Sequence, residues 1–113
     1  MQDEYYKQSL SREWLTNNGF RYNRNLSDDE IHIYTYRFPV FKYEKMTVLE
    51  CELSIALEIG EVKINVYDYG TNNKYAPFYY CEYGNYDKVL KIVWDKIKYI
   101  LNKFQIERKI NNE

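Results

Sequence analysis

Few side chains in this sequence are of the kind that does chemistry, and no motif brings those few together. His32 is the single histidine. It sits between Ile31 and Ile33 in a run that reads as a strand, with no second histidine, cysteine or serine at a recognisable spacing, so a structural or surface role is expected. Asp68, Glu82 and the tyrosines could act as acids or bases, again without a motif that converges them. Gly84-Asn85 ahead of a helix offers one glycine where phosphate capture uses a glycine-rich loop. Cys51 and Cys81 are too few for a disulfide framework, lack the close pairing of a zinc knuckle, and read as buried reduced thiols. The expectation is a protein with no catalytic residue, no metal and no cofactor. What the chain does concentrate is tyrosine: half of its 14 lie between Val66 and Asp87. Abundant Tyr, Asn, Lys and Ile also fit AT-rich coding, which accounts for part of the excess. Tyrosine supplies amphipathic contact area at small entropic cost, so the chemistry to expect here is recognition.

The elements that must position these residues follow from bulk properties and pattern. A chain of 113 residues fits one domain, 1–113, able to bury a core without metal or disulfides. A net charge of −1 and a pI near 5.9 remove the simplest electrostatic case for nucleic acid. No window reaches the roughly 18 apolar residues of a membrane span, and Met-Gln-Asp-Glu lacks the plan of a signal peptide. A soluble, cytoplasmic protein with no membrane partner is expected.

Tyr6, Leu10 and Trp14, spaced four apart with Leu15 beside them, predict a helix from about Asp3 to Asn18, with a shorter helix capped by Ser11 as the alternative. Asn18-Gly19-Phe20 reads as its Schellman stop. Arg21 to Glu30 is polar loop. Ile31 to Phe38 reads as a strand ending at Pro39, with either alternation a plausible inner face and a lean to His32/Tyr34/Tyr36/Phe38. From Val48 to Ile59, Leu49, Cys51, Leu53, Ile55 and Leu57 alternate with Glu50, Glu52, Ser54, Ala56 and Glu58, a strand with one buried side. A turn at Ile59-Gly60 returns it through Val62, Ile64 and Val66. Pairing Leu57 with Val62, Ile55 with Ile64 and Leu53 with Val66 keeps every apolar side chain on the core face. A long amphipathic helix runs from about Asn85 or Asp87 to Phe104, basic on its other side through Lys88, Lys91, Lys98 and Lys103. The tail from about 107 is expected to fray. The fold class is therefore α+β: a two-layer sandwich of helix, three-stranded antiparallel meander and long C-terminal helix, with room for a short fourth strand at Phe78 to Glu82 and both helices on one sheet face.

That register sets Glu52 opposite Tyr67 and Glu50 opposite Tyr69, an acidic and aromatic outer face. With Tyr75, Tyr79, Tyr80 and Tyr83 also too many to bury with their hydroxyls satisfied, Glu50, Glu52, Tyr67, Tyr69, Tyr75, Tyr79 and Tyr83 form the expected partner-binding set. Such a face suits a basic protein, including the nucleic-acid channel of another protein, with a homodimer through the same exposed face as the further option. The alternative is a nucleic-acid-binding domain, because helix, three strands, helix is also the order of double-stranded RNA-binding domains. Against it, the last helix opens with one lysine where those domains cluster several.

In size, composition and the mixed hairpin from Glu50-Cys-Glu52 to Tyr67-Asp-Tyr69, the chain resembles the small accessory proteins of phages and conjugative elements of AT-rich Gram-positive bacteria, a group that includes anti-CRISPR and anti-restriction inhibitors. The resemblance implies a non-enzymatic inhibitor that occludes a nucleic-acid-handling protein, and it carries no residue role.

Overall fold

The computed structural model describes residues 4–80 and 87–109. In chain order the elements are β1 (Tyr5–Tyr6), α1 (Arg12–Asn17), β2 (Arg21–Tyr22), β3 (Ile33–Tyr43), β4 (Met46–Ala56), β5 (Glu61–Asp68), α2 (Ala76–Tyr80), α3 (Lys88–Lys103) and β6 (Glu107–Arg108). The α+β class is as expected, but the sheet has six strands in the order β2-β3-β4-β5-β1-β6, every pairing antiparallel, instead of three or four.

The expected meander is its centre, with a shifted register. Ile55 pairs with Val62, Leu53 with Ile64 and Cys51 with Val66. The cause is a longer turn: Leu57 to Gly60 all lie outside the ladder, with the Gly60 N–H donating to the Ala56 carbonyl at 2.8 Å. A slip of two preserves the faces. A slip of one would expose Leu53, Ile55, Val62, Ile64 and Val66 at about 1.5–3 kcal/mol each, so the turn is free to lengthen only in even steps. Gly60 is required here, since its φ is +72° and a Cβ would lie 2.4 Å from the Lys7 carbonyl oxygen.

β3 does not stop at Pro39. It continues to Tyr43, with register shifts on both sides of Phe41. β2 reaches only Tyr34 and Thr35, so the rest of β3 is a sheet edge, where a residue without an N–H is tolerated. The favoured inner face holds: Tyr34, Phe38 and Val40 are buried.

The long N-terminal helix is replaced by its shorter alternative. Ser11 caps α1, its hydroxyl accepting the Trp14 N–H at 3.0 Å, while Tyr5 and Tyr6 form a strand between β5 and β6. Tyrosine favours a strand over a helix, and Ser9, at φ +56°, breaks any continuous helix. The Schellman stop is present in full: the Phe20 N–H donates to the Leu15 carbonyl at 2.9 Å and Gly19 to Thr16 at 3.2 Å. At the other end, Glu107 and Arg108 pair with Tyr6 and Tyr5 where fraying was expected. Instead of a fourth strand from Phe78, Ala76–Tyr80 is a short helix, and Cys81 and Glu82 lie outside the described residues.

The core lies between one sheet face and the helices. From α3, Leu90, Val93, Ile97, Ile100 and Leu101 are buried, and Asp87 is the N-cap, accepting the Leu90 N–H at 2.8 Å. Phe104 gathers the aromatics, its ring 5.3 Å from Phe20, 5.4 Å from Tyr36 and 5.8 Å from Trp14.

Candidate functional site

The outer sheet face is built around Arg37. Alternation places it opposite the core, directly across from Glu52, with Glu50 two residues along the same face. Its Nε donates to Glu52 Oε2 at 2.7 Å and its Nη1 to Glu50 Oε1 at 2.9 Å. Nη1 also reaches the Thr71 carbonyl at 3.2 Å, and Nη2 reaches Asn72 Oδ1 at 2.8 Å. The guanidinium carbon stands 4.7 Å from the centre of the Tyr67 ring. One side chain thus joins β3 and β4 to the loop after β5. A planar fork of donors is what allows it, and an ammonium could not reach the same set.

The loop is shaped to meet it. Gly70, at φ +74°, directs its N–H to Glu50 Oε1 at 3.2 Å. The Thr71 hydroxyl donates to the Asp68 carbonyl at 2.7 Å and accepts the Asn73 N–H at 3.0 Å. Asp68 N–H to Asn73 carbonyl closes the turn at 2.9 Å.

The consequence for the expected binding set is direct. Glu50 and Glu52 are not an exposed acidic face: each is 8% exposed and is paired with Arg37. Glu50 faces Tyr67 and Glu52 faces Asn65, not the tyrosines first assigned, because of the two-residue shift. Burial pulls the Arg37 pKa down, but the bonds and charges of Glu52 and Glu50 outweigh it and leave the guanidinium above its usual value. Tyr67 is half-buried beneath Arg37, its hydroxyl raised by burial and by Glu52 against the opposing charge of Arg37.

Tyr79 is also used internally. Its hydroxyl accepts the N–H of buried Val66 at 3.1 Å and donates to Asn65 Oδ1 at 2.9 Å, sealing the β5 edge beyond β1. Burial raises its pKa, with the Val66 bond opposing. Tyr75 is half-buried and its N–H bonds the Val66 carbonyl at 2.9 Å. Tyr69 alone of the described set is well exposed, and Tyr83 lies outside the described residues.

Of the possible acid-base groups, His32 is equally committed, Asp68 is exposed at the end of β5, and Glu82 lies outside the described residues. His32 Nδ1 meets Glu58 Oε2 at 2.7 Å while the His32 N–H donates to Glu58 Oε1 at 2.7 Å, and these two bonds hold Glu58 below the usual carboxylate range. Cys51 is free and fully buried, and burial pushes its thiol well up. Among the described residues, no group of three or more His, Cys, Asp or Glu could hold a metal ion.

Sequence reasoning missed two things. One is the role of Arg37, a cation on the strand next to Glu50-Cys-Glu52 whose register against them no local pattern supplies. The other is the β3–β4 end of the sheet, where Tyr43, Met46 and Val48 are exposed beside Tyr69. Tyr43 pairs with Met46 at the hairpin end, and the Tyr69 N–H donates to the Val48 carbonyl at 2.9 Å, so the backbone of all four belongs to this end of the sheet. Compared with known protein families, with curated proteins and with solved structures, the chain matches none of them.

Proposed function

We propose that the protein is a non-enzymatic protein-binding module whose contact surface is the β3–β4 end of the sheet, with Tyr43, Met46, Val48 and Tyr69 at its centre. The observation that carries this reading is that exposed apolar group, with Tyr43 at 64% and Met46 at 73%. Aromatic residues and methionine are enriched in interfaces, and here they are mounted on paired backbone and a clasped loop, which lowers the entropy lost on binding. The turn beside them supports the same reading. Glu44 and Lys45 both have positive φ, +49° and +69°, in a two-residue hairpin that Asn-Gly would form with less strain. Strain of this kind, about 1–2 kcal/mol per residue, clusters where function holds the residues in place. Against catalysis stands the saturation of Arg37, His32 and Tyr79 by internal partners.

The specific form of inhibitor acting on a nucleic-acid-handling protein rests on the resemblance in size and composition alone. Because Arg37 neutralises much of the acidic face, the partner-binding role moves from Glu50 and Glu52 to the sheet end they support. The test is capture from bacterial lysates with the intact chain and with Tyr43→Ala combined with Met46→Ala. A specific partner retained by the first and lost by the second, with both folded by circular dichroism, supports the reading. Equal retention by both would place the interface elsewhere.

A further inference from the structure

On the other side of the molecule, α3 turns outward a face that the core does not use. Lys88, Lys91, Lys96, Lys98 and Lys103 are all exposed there, against a single acid, Asp95. With the whole chain at −1 and this helix at +4, the remaining residues sum to −5, so the near-zero net charge conceals a segregation. Among the described residues none of the five lysines is ion-paired.

The lysines are also arranged. At 100° per residue, Lys91 and Lys98 form one row and Lys96 and Lys103 another, roughly 140° apart around the axis, each pair spaced about 10.5 Å along it. Between the rows run Lys88, Ile92, Asp95 and Tyr99, so the strip carries one charge of each sign beside two apolar side chains, Ile92 and Tyr99, exposed at 46% and 62%. A helix is roughly 10–12 Å across, and the B-DNA major groove, about 12 Å wide, admits one between its two phosphate walls.

We propose that the solvent face of α3 binds duplex DNA along the major groove, the two lysine rows contacting the phosphates on either side. Lysine is depleted at protein interfaces and suits phosphate as a point charge, which favours nucleic acid over an acidic polypeptide. No arginine stands on the face, so binding is to the backbone and independent of sequence. The deep, narrow major groove of A-form RNA would not admit the helix. This surface is separate from the β3–β4 end, and neither reading requires the other.

Fluorescence anisotropy with a labelled 20-base-pair duplex between 50 and 200 mM salt tests it. Four phosphate contacts predict a log–log slope of about −3.6 and a loss of affinity of roughly two orders of magnitude over that range. Lys91→Glu with Lys98→Glu should abolish binding at 100 mM salt while the chain stays folded, and Tyr43→Ala with Met46→Ala should leave it unchanged. Absence of binding at 50 mM salt, or charge reversal without effect, overturns the proposal. So does tighter binding to single-stranded DNA or duplex RNA, or displacement by poly-L-glutamate at equal charge, which would assign the face to an acidic polypeptide.

Discussion

Arg37 is the residue on which the outer face depends. Its removal leaves two carboxylates, each 8% exposed, without their counter-ion and frees the Thr71 and Asn72 contacts. Breaking a fully buried pair costs about 3–5 kcal/mol, and Arg37 is itself about a third exposed, so Arg37→Ala should cost roughly 2–3 kcal/mol in urea unfolding. Arg37→Lys should recover little of it, and hydrogen exchange at Gly70 should rise in both. Glu58 gives a separate acid dependence. Its pKa is depressed in the folded chain, so its contribution is present above the unfolded value and lost as pH falls through the folded one. Stability followed by urea titration should therefore fall on the acid side of the carboxylate range, and Glu58→Gln should make that fall shallower. Neither cluster was legible beforehand: alternation showed which side Glu50 and Glu52 face, but nothing in a pattern of types says that a cation on the next strand lies opposite them.

At the scale of elements, what the sequence revealed depended on whether local chemistry and tertiary pairing agreed. The α1 stop was readable because Gly19 is the residue a left-handed position favours. The stop of α3 is the same motif, with Ile106 N–H to Leu101 carbonyl at 2.8 Å and Gln105 N–H to Asn102 carbonyl at 3.1 Å, but it places Gln105 at φ +56°. Its signature was hidden by the residue used. Gln105→Gly should accordingly stabilise the chain by about 0.5–1 kcal/mol in thermal unfolding, whereas Gly19→Ala should destabilise it. The β3–β4 turn was illegible for a similar reason, since Glu44-Lys45 stands where Asn-Gly would announce a hairpin. β1, β2 and β6 are two residues each, too short for any period to show, and exist because neighbouring backbone pairs with them.

Across the whole molecule, the two ends of the described chain meet. β1 lies between β5 and β6, Lys7 N–H bonds the Gly60 carbonyl at 2.9 Å and Lys109 N–H bonds the Glu4 carbonyl at 2.7 Å. Ile106, buried just before β6, ties the same corner to the core. No short-range pattern could show this, because a contact between residue 5 and residue 108 is carried by the sheet and not by either sequence neighbourhood. It also makes the sheet fail in steps: without β1, β6 has no neighbour, and the start of β5 becomes an open edge of unpaired backbone groups. Deleting residues 1–6 should therefore remove two strands at once. The expected outcome is a lower unfolding midpoint together with new, concentration-dependent association seen by light scattering, because an exposed strand edge recruits another. If the shortened chain stays monomeric and as stable as the full one, the corner contributes nothing and the meander with its helices is the folding unit.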